Sequence, residues 1–444
     1  MKRWQVIIVL GICAVSFSMI SAQERELTVD ECVQIALKQN PNIVRGEFTV
    51  KIAGKDVTVA MSNFLPRVST GIGYDHSLQG PRSSFRIDPN TGLPIPITTE
   101  SQASWYSSAY ISVNQTILDG GYSIFNYNQS RSMKESAEYN FEDTKQTMIL
   151  LVKERYYNLL AAEKLLGVAE EILRSSDESY KRAQVLFEVG KAPKSEVLQA
   201  KVQVETDRLS LIQAQNSLSI AKASLNHVLG FDVDQEIKIV DNLDVPEIEV
   251  TYEDAMQNAL SDHPSLMSRM FNVNAARAGI GMAVSQFLPT VSFYYYYNWR
   301  HKDFNQIEYM FDRDYGWYWG FQFSVPVFRG FSRFAQTSRA KLTYQSTQEA
   351  LAQGKRDVAL EVKQAYFETQ QAKKQIAVAQ NAVEAATEGL RLNQERYTLG
   401  AGTMLELIVA QVSYASAQSD YIRGHYIYKY NIARLQKAMG KLEN

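Results

Sequence analysis

The sequence TVDECVQIALKQNP at residues 28–41 returns as TYEDAMQNALSDHP at residues 251–264. The two occurrences lie 223 residues apart, and the same spacing relates FLPRVS at 64–69 to FLPTVS at 287–292. Farther along, the spacing falls to 210 residues, which indicates one longer loop in the first half. A repeat of more than 200 residues is too long for an ordinary solenoid unit. The sequence therefore predicts an internal two-fold repeat, with a first structural repeat at 23–240 and a second at 241–444.

The N-terminus has the layout of a secretory signal peptide. Lys2 and Arg3 precede an apolar run at 4–20, and the small residues Ser21 and Ala22 follow it. We therefore predict a signal peptide over 1–22. No later segment carries the roughly 18 to 20 apolar residues that a membrane-spanning helix needs. After cleavage one thiol remains, that of Cys32, and its periodic apolar position favours a buried small side chain over a nucleophile.

Each repeat opens with two short helices. Thr28 and Thr251 are each followed three positions later by an acid, which is typical of a helix N-terminus. Pro41 and Pro264 then suit the first turn of a second helix, because proline lacks an N–H that this turn does not use.

The periodicity changes from 3.6 to 2 after the second helix. In the segment 290–300, Val291, Phe293 and Tyr295 alternate with smaller or more polar residues, as in a strand with two different faces. The same alternation predicts four strands in all, at about 67–78 and 104–117 in the first repeat and about 290–300 and 315–327 in the second. The segments between paired strands are rich in turn formers, especially 80–92.

A long helical hairpin closes each repeat. Apolar residues recur every seven positions from Val152 to Phe187 and from Val362 to Tyr397, and this repeat predicts a left-handed coiled coil. Gly190 and Gly400 mark the turns into equally regular returning helices. The long helices would measure about 100 Å at a rise of about 1.5 Å per residue.

The strands place aromatic residues on one face and small polar residues on the other. This arrangement is the inverse of a water-soluble barrel and favours a transmembrane β-barrel; a soluble sheet packed on its aromatic face is the alternative. Four strands cannot close a barrel, since roughly eight is the smallest number whose interior can be filled. Open edges in lipid leave backbone groups unpaired. We therefore expect the chain to oligomerise.

Taken together, these features resemble the TolC-like outer-membrane efflux family over essentially all of the mature sequence. The resemblance rests on the two helix starts at Pro41 and Pro264, the two FLP entries to the strands, the corner LDGG at 118–121 and the segment RYTLGAGTMLEL at 396–407. It implies a mainly α fold in which coiled-coil hairpins form a trimeric α-barrel tunnel and four strands per chain contribute to a twelve-stranded barrel in outer-membrane lipid. It also implies an exit duct that extends into the periplasm and serves a periplasmic adaptor and an inner-membrane transporter, in tripartite efflux or type I secretion.

The resemblance also implies a periplasmic gate at the hairpin tips. Glu406 stands where the family places an acid facing the tunnel axis, and three copies would form a ring of carboxylates. Tyr397 matches the gate tyrosine, and Glu196 occupies the position of its acidic partner. Gly402 replaces a basic residue that can tie the gate shut, and Val409 replaces a second acidic ring, so we expect a weaker closing network.

The turn glycines Gly190 and Gly400 complete the predicted gate. A simpler interpretation of Glu196 and Glu406 is that each acid, in the first turn of a helix, only favours the helix dipole.

Other functions find less support in the sequence. The five histidines are scattered, and none pairs with a cysteine or an acid at metal-ligand spacing, so we predict no catalytic site, metal or cofactor. The formal net charge of −2 and the absence of a basic patch argue against nucleic acid. A periplasmic adaptor-like coiled-coil protein remains the main alternative function. A receptor role of the loops at 75–104 and 300–314 would be secondary.

Overall fold

The computed structural model describes residues 26–241 and 250–442. The predicted signal peptide, 1–22, lies outside the described residues. The fold is mainly helical, as the sequence predicts. In chain order the α-helices are α1 (Val29–Gln39), α2 (Pro41–Met61), α3 (Tyr122–Glu188), α4 (Lys194–Leu229), α5 (Tyr252–Asp262), α6 (Pro264–Ser285), α7 (Ser332–Thr398) and α8 (Met404–Ala438).

Side chains at the helix starts explain why the short helices begin where they do. The side chain of Thr28 accepts from the backbone N–H of Glu31, and the Glu31 side chain accepts from the N–H of Thr28. In the second half, the Thr251 side chain accepts from Asp254 N–H. Asn40 and His263 cap the next helices, each of which begins with a proline. These bonds satisfy N–H groups that a helix N-terminus leaves without an intrahelical partner.

Four long strands form one antiparallel sheet. They are β2 (Arg67–Gln79), β5 (Gln102–Asp119), β7 (Thr290–His301) and β8 (Tyr315–Ser324), and the sheet order is β2-β5-β7-β8. The strand β8 ends two residues before Pro326, whose nitrogen cannot donate to a neighbouring strand. Gly120 and Gly121, both at positive φ, turn the chain from β5 into α3.

The register divides the sheet into two faces. One face, the apolar face, carries mainly apolar and aromatic side chains: Val68, Ile72, Tyr74, Ile111, Val113, Val291, Phe293, Tyr295, Trp317, Trp319, Phe321 and Phe323. The other face, the polar face, carries glycine, serine, asparagine and glutamine together with several tyrosines.

Further strands lie outside this sheet. The segment between β2 and β5, whose turn formers indicate a loop, contains an antiparallel hairpin of β3 (Arg82–Ile87) and β4 (Pro94–Thr99). Near the chain start, β1 (Glu26–Leu27) pairs in parallel with β6 (Lys238–Ile239). The Tyr156 hydroxyl lies 2.6 Å from the carbonyl oxygen of Val240 and 3.0 Å from that of Leu27, so α3 holds this small sheet in place.

The long helices pack as two hairpins, α3 with α4 and α7 with α8, and α3 also contacts α8. Of the helices that precede the strands, α6 lies between α3 and α7, whereas α2 packs on α3 alone among the long helices. The largest apolar core surrounds the middle of α3, where Val152 and Leu159 pack against Cys32 and Leu225. Burial raises the pKa of the Cys32 thiol to about 12, so this cysteine is a packing residue. Among the described residues, no helix combines the length and apolar character needed to cross a membrane.

Candidate functional site at the hairpin tips

Two glycine turns build the tips of the hairpins. Gly190 and Gly400 have φ angles of 72° and 75°, a region that side chains with a Cβ rarely adopt. Beyond each helix end, a backbone N–H reaches back to an unpaired carbonyl: Lys191 donates to Leu186 and Ala401 donates to Arg396, both at 2.8 Å. These bonds cap the C-terminal ends of α3 and α7. The capped turns therefore fix the direction in which α4 and α8 return.

Tyr397 and Glu196 meet across the two hairpins. Tyr397, at the end of α7, is 3% exposed and packs against Ala183, Ala200 and Met404. Its hydroxyl donates to Oε2 of Glu196, in the first turn of α4, at 3.3 Å. Burial and the nearby Glu196 carboxylate raise the pKa of Tyr397 to about 12, so the phenol stays protonated and can donate. The structure therefore brings together two of the predicted gate residues from different halves of the chain.

Glu406 sits at the start of α8 in a capping box. Its Oε2 accepts from the Thr403 N–H at 3.0 Å, while its own N–H donates to the Thr403 hydroxyl at 3.2 Å. The same oxygen lies 3.6 Å from Nη2 of Arg396. Within one chain Glu406 thus stabilises a helix start. A ring of three carboxylates concerns neighbouring copies and stays a prediction.

Gly402 lies where α7, the turn and α8 crowd together. A Cβ at this position would lie 3.2 Å from Cβ of Arg396 and 3.3 Å from both Oε2 of Glu406 and the backbone nitrogen of Tyr397. A larger residue here requires small shifts and would point its side chain toward the Arg396 and Glu406 pair. Val409, three residues after Glu406 on α8, is 57% exposed.

Sequence reasoning missed two further links between the hairpins. Nη1 of Arg182 on α3 donates to the Thr398 hydroxyl at 2.6 Å. Gln411 on α8 is 2% exposed, and its Nε2 donates to the hydroxyls of Ser175 and Ser179 at 3.0 and 3.2 Å. A signal for Gln411 was available, because it continues the buried stripe of Met404 and Leu407 and is a polar residue in an apolar pattern.

A polar layer continues from the serines of α3 into α4. Asp207 is 7% exposed, and its Oδ1 accepts from Nε2 of Gln203 at 2.9 Å. Its Oδ2 is buried with no partner among the described residues. Burial raises the pKa of Asp207 in spite of the hydrogen bond from Gln203. Buried polar groups of α3, α4 and α8 thus lie on the inner side of the hairpin tips.

The sequence matches the outer membrane efflux protein family over residues 32–231 and 255–441. The chain belongs to this family. It is 23% identical to the outer membrane protein TolC of Escherichia coli, over 98% of this chain and 86% of that protein. It is 25% identical to a probable efflux pump outer membrane protein, TtgC of Pseudomonas putida, over 69% of this chain and 63% of that protein. The fold is similar to the Campylobacter jejuni CmeC outer membrane channel, with a TM-score of 0.82, 18% identity and coverage of 93% of this chain and 86% of that one.

Family membership confirms the resemblance found in the sequence. The protein lies in the outer membrane, extends into the periplasm and serves as an exit duct for efflux or secretion. The periplasmic adaptor alternative is not favoured, since the matched proteins are outer-membrane channels and efflux proteins.

Proposed function

We propose that three copies of the chain assemble into one duct: a twelve-stranded barrel in the outer membrane, continuous with a periplasmic tunnel of helical hairpins. The duct passively conducts substrates delivered by an inner-membrane transporter and a periplasmic adaptor, in efflux or type I secretion. The two halves of the chain act as structural repeats in the tunnel wall. In support, α1 and α5 are both 11 residues long, and α3 and α7 are both 67.

The observation that carries this proposal is an open sheet with one apolar face. Within the described residues, β2 and β8 pair on one side only, so each leaves a row of backbone N–H and C=O groups without partners. On the apolar face Trp317, Trp319 and Phe321 are each 58% exposed or more. An open edge in lipid costs several kcal/mol for each unpaired group. Pairing β8 of one copy with β2 of the next removes every edge at once.

The helices support the same assembly. The helix α6 packs against both α3 and α7 of its own chain, whereas α2 makes its main contact with the long helices at α3. Phe48, Ile52 and Val59 on α2 are 53%, 62% and 66% exposed, and Leu342 and Leu360 on α7 are 62% and 56% exposed. If the halves are equivalent, α2 fills the matching groove beside α7 of a neighbouring copy, and these apolar side chains become buried.

The hairpin tips form the periplasmic gate of the proposed duct. Glu196 with Tyr397, Arg182 with Thr398 and Gln411 with the serines of α3 hold the α7–α8 hairpin against the α3–α4 hairpin. Opening the tunnel requires these links to break. Gly402 contributes no charge to closing, and Glu406 supplies the negative ring on the axis.

Oligomeric state and conductance test the proposal. The full chain, purified from membranes in detergent, is expected to have the mass of a trimer by light scattering corrected for detergent. It is also expected to form ion-conducting pores in planar lipid bilayers. A folded monomer that stays in solution without detergent and forms no pores would refute the assembly.

A further inference from the structure

The polar face of the sheet carries four tyrosines in ring contact, which we call the tyrosine row: Tyr110 on β5, Tyr294 and Tyr296 on β7, and Tyr318 on β8. The ring centroids of Tyr110 and Tyr296 lie 5.6 Å apart, those of Tyr296 and Tyr318 5.4 Å, and those of Tyr318 and Tyr294 6.1 Å. These separations are typical of interacting aromatic rings. The row therefore crosses three strands without a break.

The outer members of the row lie next to glycines of the neighbouring strands. A Cβ on Gly71 would lie 2.6 Å from Cε1 of Tyr110, and one on Gly320 would lie 2.7 Å from the hydroxyl oxygen of Tyr294. Each of these tyrosines therefore extends over a glycine of the neighbouring strand. A side chain with a Cβ at either glycine would clash with the ring, so each glycine leaves the space that the ring occupies.

Covering glycines is a structural role that explains only part of the row. No glycine of the described chain would place a Cβ closest to Tyr296 or Tyr318, which pair directly with each other across β7 and β8. Tyr318 is 54% exposed and Tyr110 is 38% exposed. Lipid contact does not explain these rings either, because the residues suited to lipid lie on the opposite face.

The same face already holds a planar cation against a tyrosine. The guanidinium carbon of Arg300 lies 4.2 Å from the ring centroid of Tyr106. The negative face of an aromatic ring attracts cations, and a planar cation also stacks on it. Within the described part of the chain no Lys or Arg is seen over the rings of the tyrosine row, so the same chemistry is available there to a bound cation.

We propose that the tyrosine row is a binding surface inside the barrel for small planar aromatic cations in transit through the duct. This inference rests on the proposed function, because the polar face lines the lumen only if the barrel closes with its apolar face toward lipid. Three copies would then place twelve tyrosines on the lumen wall. The surface favours planar aromatic cations over aliphatic ions of equal charge.

The test compares ethidium, a planar aromatic cation, with tetraethylammonium, an aliphatic cation of the same charge. The variant Tyr296→Leu/Tyr318→Leu removes the two rings that cover no glycine. Its matched control, Tyr295→Leu, removes the tyrosine next to Tyr296 on β7, which lies on the apolar face. A second variant, Tyr296→Phe/Tyr318→Phe, keeps the rings and removes only the hydroxyls. Ethidium affinity is measured twice: by fluorescence anisotropy on detergent-purified protein, and by current block in planar bilayers, where tetraethylammonium is the reference.

The expected result is a selective loss of ethidium binding. One exposed cation–π contact changes affinity about two- to fivefold, so the double leucine variant should bind ethidium about fivefold more weakly or worse. The phenylalanine variant and Tyr295→Leu should match the wild type, and block by tetraethylammonium should not change. Equal ethidium affinity in the wild type and the leucine variant, or an equal loss in Tyr295→Leu, would overturn the inference. A wild type that binds ethidium through the row in detergent but never conducts would instead refute the proposed duct.

Discussion

Removing one hydroxyl at the hairpin tips should favour the open state of the proposed gate. Tyr397→Phe deletes the group that donates to Glu196 across the two hairpins at 3.3 Å, and it keeps the buried ring packed against Ala183 and Met404. The fold around the turn should therefore survive, while one link between the hairpins is lost.

The size of the effect follows from the geometry. A hydrogen bond to a charged group contributes about 1.5–3 kcal/mol. The bond here is longer than the usual 2.5–3.0 Å of O–H···O contacts, and Glu196 is only half-buried, so we take about 1 kcal/mol per chain. If the three chains of the proposed duct open together, the closed state loses about 3 kcal/mol of stability in total. This loss shifts the ratio of open to closed ducts about 100-fold.

Single-channel recording in planar bilayers measures this shift as open probability and mean conductance. The matched control is Tyr414→Phe, because among the described residues the Tyr414 hydroxyl bonds to Gln418 on its own helix. The pKa of Tyr397 is raised to about 12, so its hydroxyl bond is fully present below pH 10 and is lost as the pH rises through about 12. The difference between wild type and Tyr397→Phe should therefore stay constant from pH 6 to 9. Equal open probability in the wild type and Tyr397→Phe, or an equal shift in Tyr414→Phe, would show that the hydrogen bond from Tyr397 to Glu196 does not hold the duct closed.

Four further variants probe the same region. Glu406→Gln keeps a capping-box side chain but removes the charge, so it should weaken cation block in bilayers; unchanged block would argue against an acidic ring. Gly402→Arg adds a cation beside Glu406 and should lower conductance, while a conductance equal to wild type would contradict this role. Gln411→Leu removes the bonds from Gln411 to Ser175 and Ser179. At about 1 kcal/mol for the pair, it should raise the ratio of open to closed ducts about fivefold per chain, and Gln418→Leu, an intrahelical control, should not. Asp207→Asn should raise the melting temperature at pH 7 more than at pH 4. The raised pKa of Asp207 means that its contribution to stability is full below its ordinary value near 3.8 and is lost as pH rises through the folded value; equal shifts at both pH values would contradict the burial cost.

The local elements of this fold were predictable from local signals. Thr28 with Glu31 and Thr403 with Glu406 are side chains that bond N–H groups three positions away, so their spacing in the sequence already specifies a helix start. Gly190 and Gly400 mark turns for a similar reason, because the positive φ of these turns excludes most other residues. The alternation from Thr290 to His301 required a strand with two faces. The hairpin of β3 and β4 was missed, because prolines and turn formers dominate its sequence.

The contacts between distant residues needed the tertiary structure. Tyr397 and Glu196 are 201 positions apart, and Gln411 is 236 positions from Ser175. No periodicity relates such positions, because their meeting depends on how two hairpins pack side by side.

The sequence by itself determined the helices, the turns between them and the four long strands, since backbone geometry and capping act within a few residues. Only the tertiary structure decided which side chains join the hairpins, which rings of the sheet touch and that Oδ2 of Asp207 is buried with no partner among the described residues. Burial and side-chain contact are properties of the packed chain. Periodicity in the sequence indicates which face of a helix or strand is buried, but not which distant residues it contacts.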